Sequence, residues 1–172
     1  MFQTRRIWVG LLVLALCGGT ALAAGPQLSA EQQQAADKLK AKGGSVMQLA
    51  ADTDALAVNL GLAGKASGDD ELALVKTLPK VVELDLHGTS VTDAGLANLE
   101  GMKDLTRLRL DRTQVGDAGV AHLKDLSNLV YLNLYETPVT DAGLDSLKGL
   151  KNLKKLYLWQ TKVTDAGAES LH

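Results

Sequence analysis

From residue 81 onward, apolar side chains return at fixed places in a cycle of 24 residues. VVELDLHGTSVTDAGLANLEGMKD is followed by LTRLRLDRTQVGDAGVAHLKDLSN, LVYLNLYETPVTDAGLDSLKGLKN and LKKLYLWQTKVTDAGAESLH, with no insertion or deletion. Apolar residues hold positions 1, 4, 6, 11, 16, 19 and usually 22 of each unit. The alternation around positions 4 and 6 predicts a strand with one buried face. Leu84, Leu108, Leu132 and Leu156 then form one inward column, and Leu86, Leu110, Leu134 and Leu158 a second. The three-residue apolar spacing later in each unit predicts a short helix on the opposite side. Thr92, Thr140 and Thr164 stand where an N-cap belongs, and Gly116 is an acceptable replacement. A unit this short buries its apolar face only against its neighbours, so a fixed period of this length predicts a stack.

The same reasoning extends upstream. Ser29 begins a helix with capping-box spacing to Gln32, and Gly43-Gly44 ends it. Its thin apolar face, Ala35, Ala36 and Leu39, is expected to cover the first edge of the stack. Ser45–Ala50 and Ala55–Leu60 flank Ala51-Asp52-Thr53-Asp54 as the arms of a hairpin. Residues 57–80 fit the 24-residue frame as a degenerate first repeat, with Leu60, Leu62, Leu72, Val75 and Leu78 on apolar positions. Lys65 and Ser67 break that frame where Thr and Val are expected. The resulting division is a signal peptide at 1–23, a capping helix and hairpin at 24–56, and repeats at 57–80, 81–104, 105–128, 129–152 and 153–172. The last unit is incomplete. Its Leu156, Leu158, Val163 and Leu171 are expected to face an unstacked side, with fraying from about residue 164 or an end-to-end contact.

The phrase L-x-x-L-x-L-x-x-T-x-V-T-D-A-G-L resembles the leucine-rich repeat. It is similar to the class found in F-box-associated and ribonuclease-inhibitor-like bacterial proteins. The resemblance covers about two-thirds of the chain. It implies an α/β fold: a right-handed solenoid with a parallel concave sheet and short helices on the convex side. The chain carries no F-box, and its N-terminal export signal argues against a ubiquitin-ligase role.

Two recurring columns have a chemical look. Thr89, Thr113, Thr137 and Thr161 repeat at position 9; Asp69, Asp93, Asp117, Asp141 and Asp165 repeat at position 13. Hard cations need several oxygens converging on one point, whereas a ladder presents one carboxylate per repeat. Both columns are therefore read as structural: Thr satisfying turn amides, and Asp in the first turn of a helix where the dipole favours it.

Function is sought in the positions that the repeat leaves free. Strand positions 3, 5 and 7 point away from the core, with position 8 at the rim. Every aromatic residue after the N-terminal segment falls in this set: Tyr131, Tyr135, Tyr157 and Trp159. Arg107, Arg109 and Arg112 precede them, and Asp111, Asn133 and His87 share the face. Tyr, Trp and Arg are the types enriched at binding hot spots. Aromatics also form strands well and pair across them, but that does not explain why buried positions take none. These ten residues are the candidate ligand-binding set on the concave face. His87 neighbours Asp85 and Asp111 and could do acid–base work, but only Gly88 and Thr89 follow it, and neither is a suitable nucleophile. No metal-ligand spacing, phosphate loop or cofactor motif is read, so the chain is taken as a non-enzyme without cofactor or metal.

Composition adds the compartment. Arg5-Arg6, the apolar run from Ile7 to Cys17 and Ala21-Leu22-Ala23 form a secretory signal peptide with cleavage after Ala23. The run is too short to span a bilayer comfortably, so no stable membrane insertion is expected after cleavage. Thr4-Arg5-Arg6-Ile7-Trp8-Val9 also looks like a twin-arginine signal. Leu16 stands where a lipoprotein signal wants a small residue, which argues against a lipid on Cys17. The single cysteine falls inside the segment to be removed. The formal charge of −2 has no clustered basic face, which argues against nucleic acid. The expectation is thus a periplasmic or secreted binding module for a protein or peptide. A glycan or cell-wall ligand on the same aromatic face is the alternative, and an envelope scaffold working through its ends is a third.

Overall fold

A computed structural model of the chain describes residues 28–171. The expected signal peptide, with Arg5, Arg6 and Cys17, lies outside the described residues, as does His172. Six strands form one sheet in sequence order. They are β1 (Ser45–Gln48), β2 (Leu56–Asn59), β3 (Val81–Asp85), β4 (Arg107–Arg109), β5 (Tyr131–Asn133) and β6 (Lys155–Tyr157). Strands β2 to β6 are parallel, and β1 runs antiparallel to β2. The intervening helices are α1 (Ala30–Ala41), α2 (Asp69–Val75), α3 (Asp93–Leu96), α4 (Asp117–Ala121), α5 (Asp141–Asp145) and α6 (Asp165–Glu169). Neighbouring helices α2 to α6 pack on one another as neighbouring strands do. The result is an α/β repeat fold of the leucine-rich-repeat type, with a sheet on one side and helices on the other.

Register follows the sequence period without slip from β3 onward. Leu84, Leu108, Leu132 and Leu156 are direct cross-strand partners. The first three are buried almost completely, as are Leu86, Leu110 and Leu134. Leu156 and Leu158 are only partly buried and, with Leu147, Leu150 and Leu171, line a groove of about 490 Å³.

The N-terminal part departs from the frame. Val58 pairs with Leu84 and Asn59 with Asp85, so β2 sits two residues earlier than the 24-residue period places it. A bulge between Leu56 and Ala57 starts the shift, and a 3₁₀ stretch, Gly61–Ala66, absorbs the extra residues. Leu60 is consequently buried, whereas Leu62, expected on an apolar position, is 67% exposed. Asn59 moves from the row of Glu83 to the row of Asp85. Ser67 does occupy the valine column, and its buried Oγ has no partner.

Helix α1 forms as its capping box predicts. Ser29 N–H donates to Gln32 Oε1 (2.9 Å) and Gln32 N–H to Ser29 Oγ (3.3 Å). Its Ala35, Ala36 and Leu39 face is buried where α1 meets β1 and α2. The free edge of β2 is covered by β1 of the hairpin, not by α1 as expected, because only a strand supplies the ladder of hydrogen bonds that such an edge needs.

Candidate functional site

The threonine and aspartate columns close upon the repeat itself. The hydroxyls of Thr89, Thr113, Thr137 and Thr161 donate to the carbonyls of Leu86, Leu110, Leu134 and Leu158 at 2.6–2.7 Å. The expectation that they satisfy turn amides holds only at Thr161, whose hydroxyl also accepts from Val163 N–H (3.3 Å); the group satisfied in all four is a carbonyl at the end of each strand. Each aspartate does start a helix, but the carboxylates of Asp69, Asp93, Asp117 and Asp141 reach the next repeat. Asp117 accepts from Thr140 N–H and Thr140 Oγ1, both at 2.7 Å. Asp69 holds Thr92 and Asp141 holds Thr164 in the same way. Asp93 accepts only from Gly116 N–H (2.6 Å), since no hydroxyl stands there. The glycine of Asp-Ala-Gly explains itself by the same contact. A Cβ at Gly143 would come within 2.6 Å of Asp117 Oδ1. Among the described residues no cluster of three or more metal-ligating side chains occurs.

The opposite, open face of the sheet carries the candidate residues. Strict register sets them in rows across β3 to β6. One row reads Glu83, Arg107, Tyr131, Lys155; the next reads Asp85, Arg109, Asn133, Tyr157. Backbone pairing continues past the strands, with Arg112 N–H on Tyr135 O (2.9 Å) and Glu136 N–H on Trp159 O (3.0 Å). This places His87, Asp111, Tyr135 and Trp159 in a third row. The fourth row holds Gly88, Arg112, Glu136 and Gln160, all at positive φ between 54° and 65°. That conformation suits glycine, yet three of the four positions carry long polar side chains. Each retains backbone strain of order 1 kcal/mol, a cost that tends to gather at functional sites.

The aromatic residues make two stacks. Tyr135 and Trp159 lie with ring centroids 5.5 Å apart and planes at 15°. Tyr131 and Tyr157 are 5.3 Å apart and tilted at 44°. Each stack ends on an arginine: Arg107 lies 4.0 Å over the Tyr131 ring and Arg112 5.5 Å from that of Tyr135. Tyr135 and Trp159 stand face to face and do not spread as a flat platform. Rings so close cannot lie side by side, since their edges would overlap. Trp159 is 72% exposed and Tyr157 48%.

The polar candidates are largely consumed by one another. Arg109 donates to Asp85 Oδ2 (2.9 Å) and to both carboxylate oxygens of Asp111 (3.0 Å each). The hydrogen bonds that Arg109 donates to Asp111, with Asp85 nearby, raise the Arg109 pKa above its ordinary value. Asn133 donates to Asp111 Oδ1 (2.9 Å) and accepts from Tyr135 N–H (3.0 Å). Asp111, expected on the surface, is therefore buried within this network. Arg112 binds Glu136 at 2.9 Å, and Tyr135 and Glu136 together raise its pKa. Arg109 and Arg112, both in the candidate set, are already held by carboxylates of the chain. His87 sits on Asp85 through Nδ1 (2.9 Å), at the β3 side and away from the aromatic stacks. The Thr89 hydroxyl beside it is buried and engaged. Of the ten candidates, the four aromatics and Arg107 gather with exposed surface. Lys155, which the 24-residue frame places in the position of Tyr131 but which is not among the ten, joins them as Tyr131's cross-strand partner.

No protein-family model matches this chain, and no curated protein matches it. Among solved structures it is similar to two internalins of Listeria monocytogenes. For inlF the identity is 23% and the TM-score 0.43, over 58% of this chain and 35% of the internalin. For inlC2 the identity is 21% and the TM-score 0.44, over 69% of this chain and 67% of the internalin. The chain thus spans about a third of the length of the first.

Proposed function

We propose that this chain is a binding module that takes a protein or peptide partner on the open face of its sheet, over β4 to β6. The observation that carries this reading is the two aromatic stacks, Tyr135–Trp159 beside Tyr131–Tyr157, each with its outer ring, Trp159 or Tyr157, exposed and its inner ring half-buried. The mature chain gives all its aromatic side chains to this face and none to its core. Exposed clusters of Tyr and Trp with an adjoining Arg are the usual composition of interaction hot spots. Tyr135 is covered by Arg112 on one side and Trp159 on the other, so its ring faces are closed to a ligand. Trp159 keeps most of its surface open, and a glycan stacked on that ring is the second reading. Ring edges, phenol hydroxyls and the strained rim side chains also remain for a partner.

The direct test is capture from an extract of the source cells with the partner identified by mass spectrometry. The wild-type chain and a Lys124→Ala control on the helix side should retain one partner that a Tyr135→Ala/Trp159→Ala variant loses. Equal capture by all three would refute the reading. We also propose that residues 1–23 are a signal peptide, so that the partner is met outside the cytoplasm. N-terminal sequencing should begin at Ala24 or within a few residues of it. An intact Met1 or a lipid on Cys17 would contradict that.

A further inference from the structure

Resting on that reading, we infer that the partner segment is acidic and is read by Arg107 and Lys155 astride Tyr131. The cations of the open face fall into two groups. Arg109 is held by Asp85 and Asp111, and Arg112 by Glu136. Among the described residues, Arg107 and Lys155 have no carboxylate within 4.0 Å. They occupy one row with Tyr131 between them, Arg107 opposite Tyr131 and Tyr131 opposite Lys155. Strand spacing sets the two backbones about 10 Å apart. Both side chains are exposed.

The Arg107 guanidinium lies 4.0 Å over the Tyr131 ring. A contact with the ring uses none of the N–H groups in a hydrogen bond to a carboxylate, so they remain free to meet one in bidentate fashion. The ring thereby orients the cation without neutralising it. Lys155 offers a point charge on the far side of the phenol. The surrounding charge acts in the same sense: between Asp145 and Asp165 the chain has five lysines and no acid. Toward β3 the sign reverses, since Glu83 heads the same row, and Asp85 in the next with Asp111 in the third outnumber Arg109, which both hold. A ligand with carboxylates is thus attracted over β4 to β6 and repelled from β3. Field complementarity of this kind fixes position and speeds encounter. The occupant that fits is an extended acidic peptide with an aromatic side chain to lie against Tyr131 and Tyr157.

The probe is a random copolymer of glutamate and tyrosine, immobilised, with polyglucuronate and polylysine as comparison surfaces. The full mature chain should bind the copolymer in preference to both, and added salt should weaken binding. Arg107→Gln/Lys155→Gln should lower affinity at least tenfold with an unchanged circular dichroism spectrum, whereas Lys124→Gln should match wild type. Unaltered binding by the double variant, or no binding by wild type, would overturn the inference. Tighter binding to polyglucuronate would assign the cations to an anionic glycan instead. The two readings separate in the extract experiment. If Tyr135→Ala/Trp159→Ala loses the captured partner and Arg107→Gln/Lys155→Gln keeps it, the acidic assignment fails and the open-face reading stands. If neither variant loses it, both fail.

Discussion

The aspartate column on the helix side and the aromatic rows on the open face are built to the same plan. Each places one side chain per repeat, and in each a side chain touches its equivalent neighbourhood one repeat on. They differ in what is left over. Asp117 finds both its acceptors filled by Thr140, Gly143 makes room for it, and nothing of the contact points outward. Tyr135 and Trp159 also meet across repeats, but most of the Trp159 surface remains in water. The first arrangement holds repeats together; the second adds a modest stacking energy and leaves apolar area to be covered. Uniform columns therefore mark the architecture, and columns whose residue changes at every step mark the surface open to selection by a partner.

The largest effect that tests this contrast lies in the core. Leu132→Ala should cost about 2–5 kcal/mol in urea unfolding. Leu156→Ala should cost distinctly less, because that leucine is only partly buried. A loss below about 0.5 kcal/mol at Leu132 would mean that the register is wrong. Next comes the column that joins repeats. Asp117→Ala leaves a Thr140 N–H and hydroxyl without their acceptor and should cost about 1–3 kcal/mol. The Asp165 carboxylate has no hydrogen-bond partner among the described residues, so Asp165→Ala should cost only the helix-terminal charge effect, a few tenths of a kcal/mol. Equal losses at the two sites would reduce the column to a dipole effect.

On the open face the ranking inverts between stability and binding. Trp159→Ala should weaken partner binding by at least about 1–2 kcal/mol. Its unfolding free energy should fall by no more than the stacking contribution, about 0.5–1.5 kcal/mol. The smallest effect concerns a surface pair at the N-terminal side, Asp54 and Lys80 at 2.8 Å. Their hydrogen bond lowers the Asp54 pKa and raises that of Lys80. The stabilisation is present above the ordinary carboxylate pKa and is lost as pH falls through the lowered Asp54 value. It is equally present below the ordinary lysine pKa and lost as pH rises through the raised Lys80 value. Asp54→Asn should be slightly less stable than wild type near neutrality, and acid titration of both proteins should close that gap.

The sequence made the repeat legible because a buried column tolerates one kind of side chain, and burial at positions 4, 6, 11 and 16 repeats with the backbone. It also located the aromatic rows, since strand alternation alone decides which residues leave the core. The shift at β2 was hidden: a bulge at Leu56/Ala57 and a 3₁₀ stretch change length locally without changing composition. Hidden too was the sorting of the charges. Asp111, Arg109 and Arg112 read as surface groups until the register showed that Asp85, Asp111 and Glu136 come within reach of the arginines. Lys155 was left out for the converse reason. The 24-residue frame places it on the open face in the row of Tyr131, but that no carboxylate holds it follows only from where the acids lie.

The central claim is that the open face binds and does not merely stabilise, and one protein tests it. For the Tyr135→Ala/Trp159→Ala variant, urea unfolding and partner capture are measured on the same preparation. The account predicts a chain that unfolds within about 2 kcal/mol of wild type and has lost its partner. A variant that unfolds far more readily, yet while folded captures the partner as wild type does, would show that the aromatic stacks serve the fold alone.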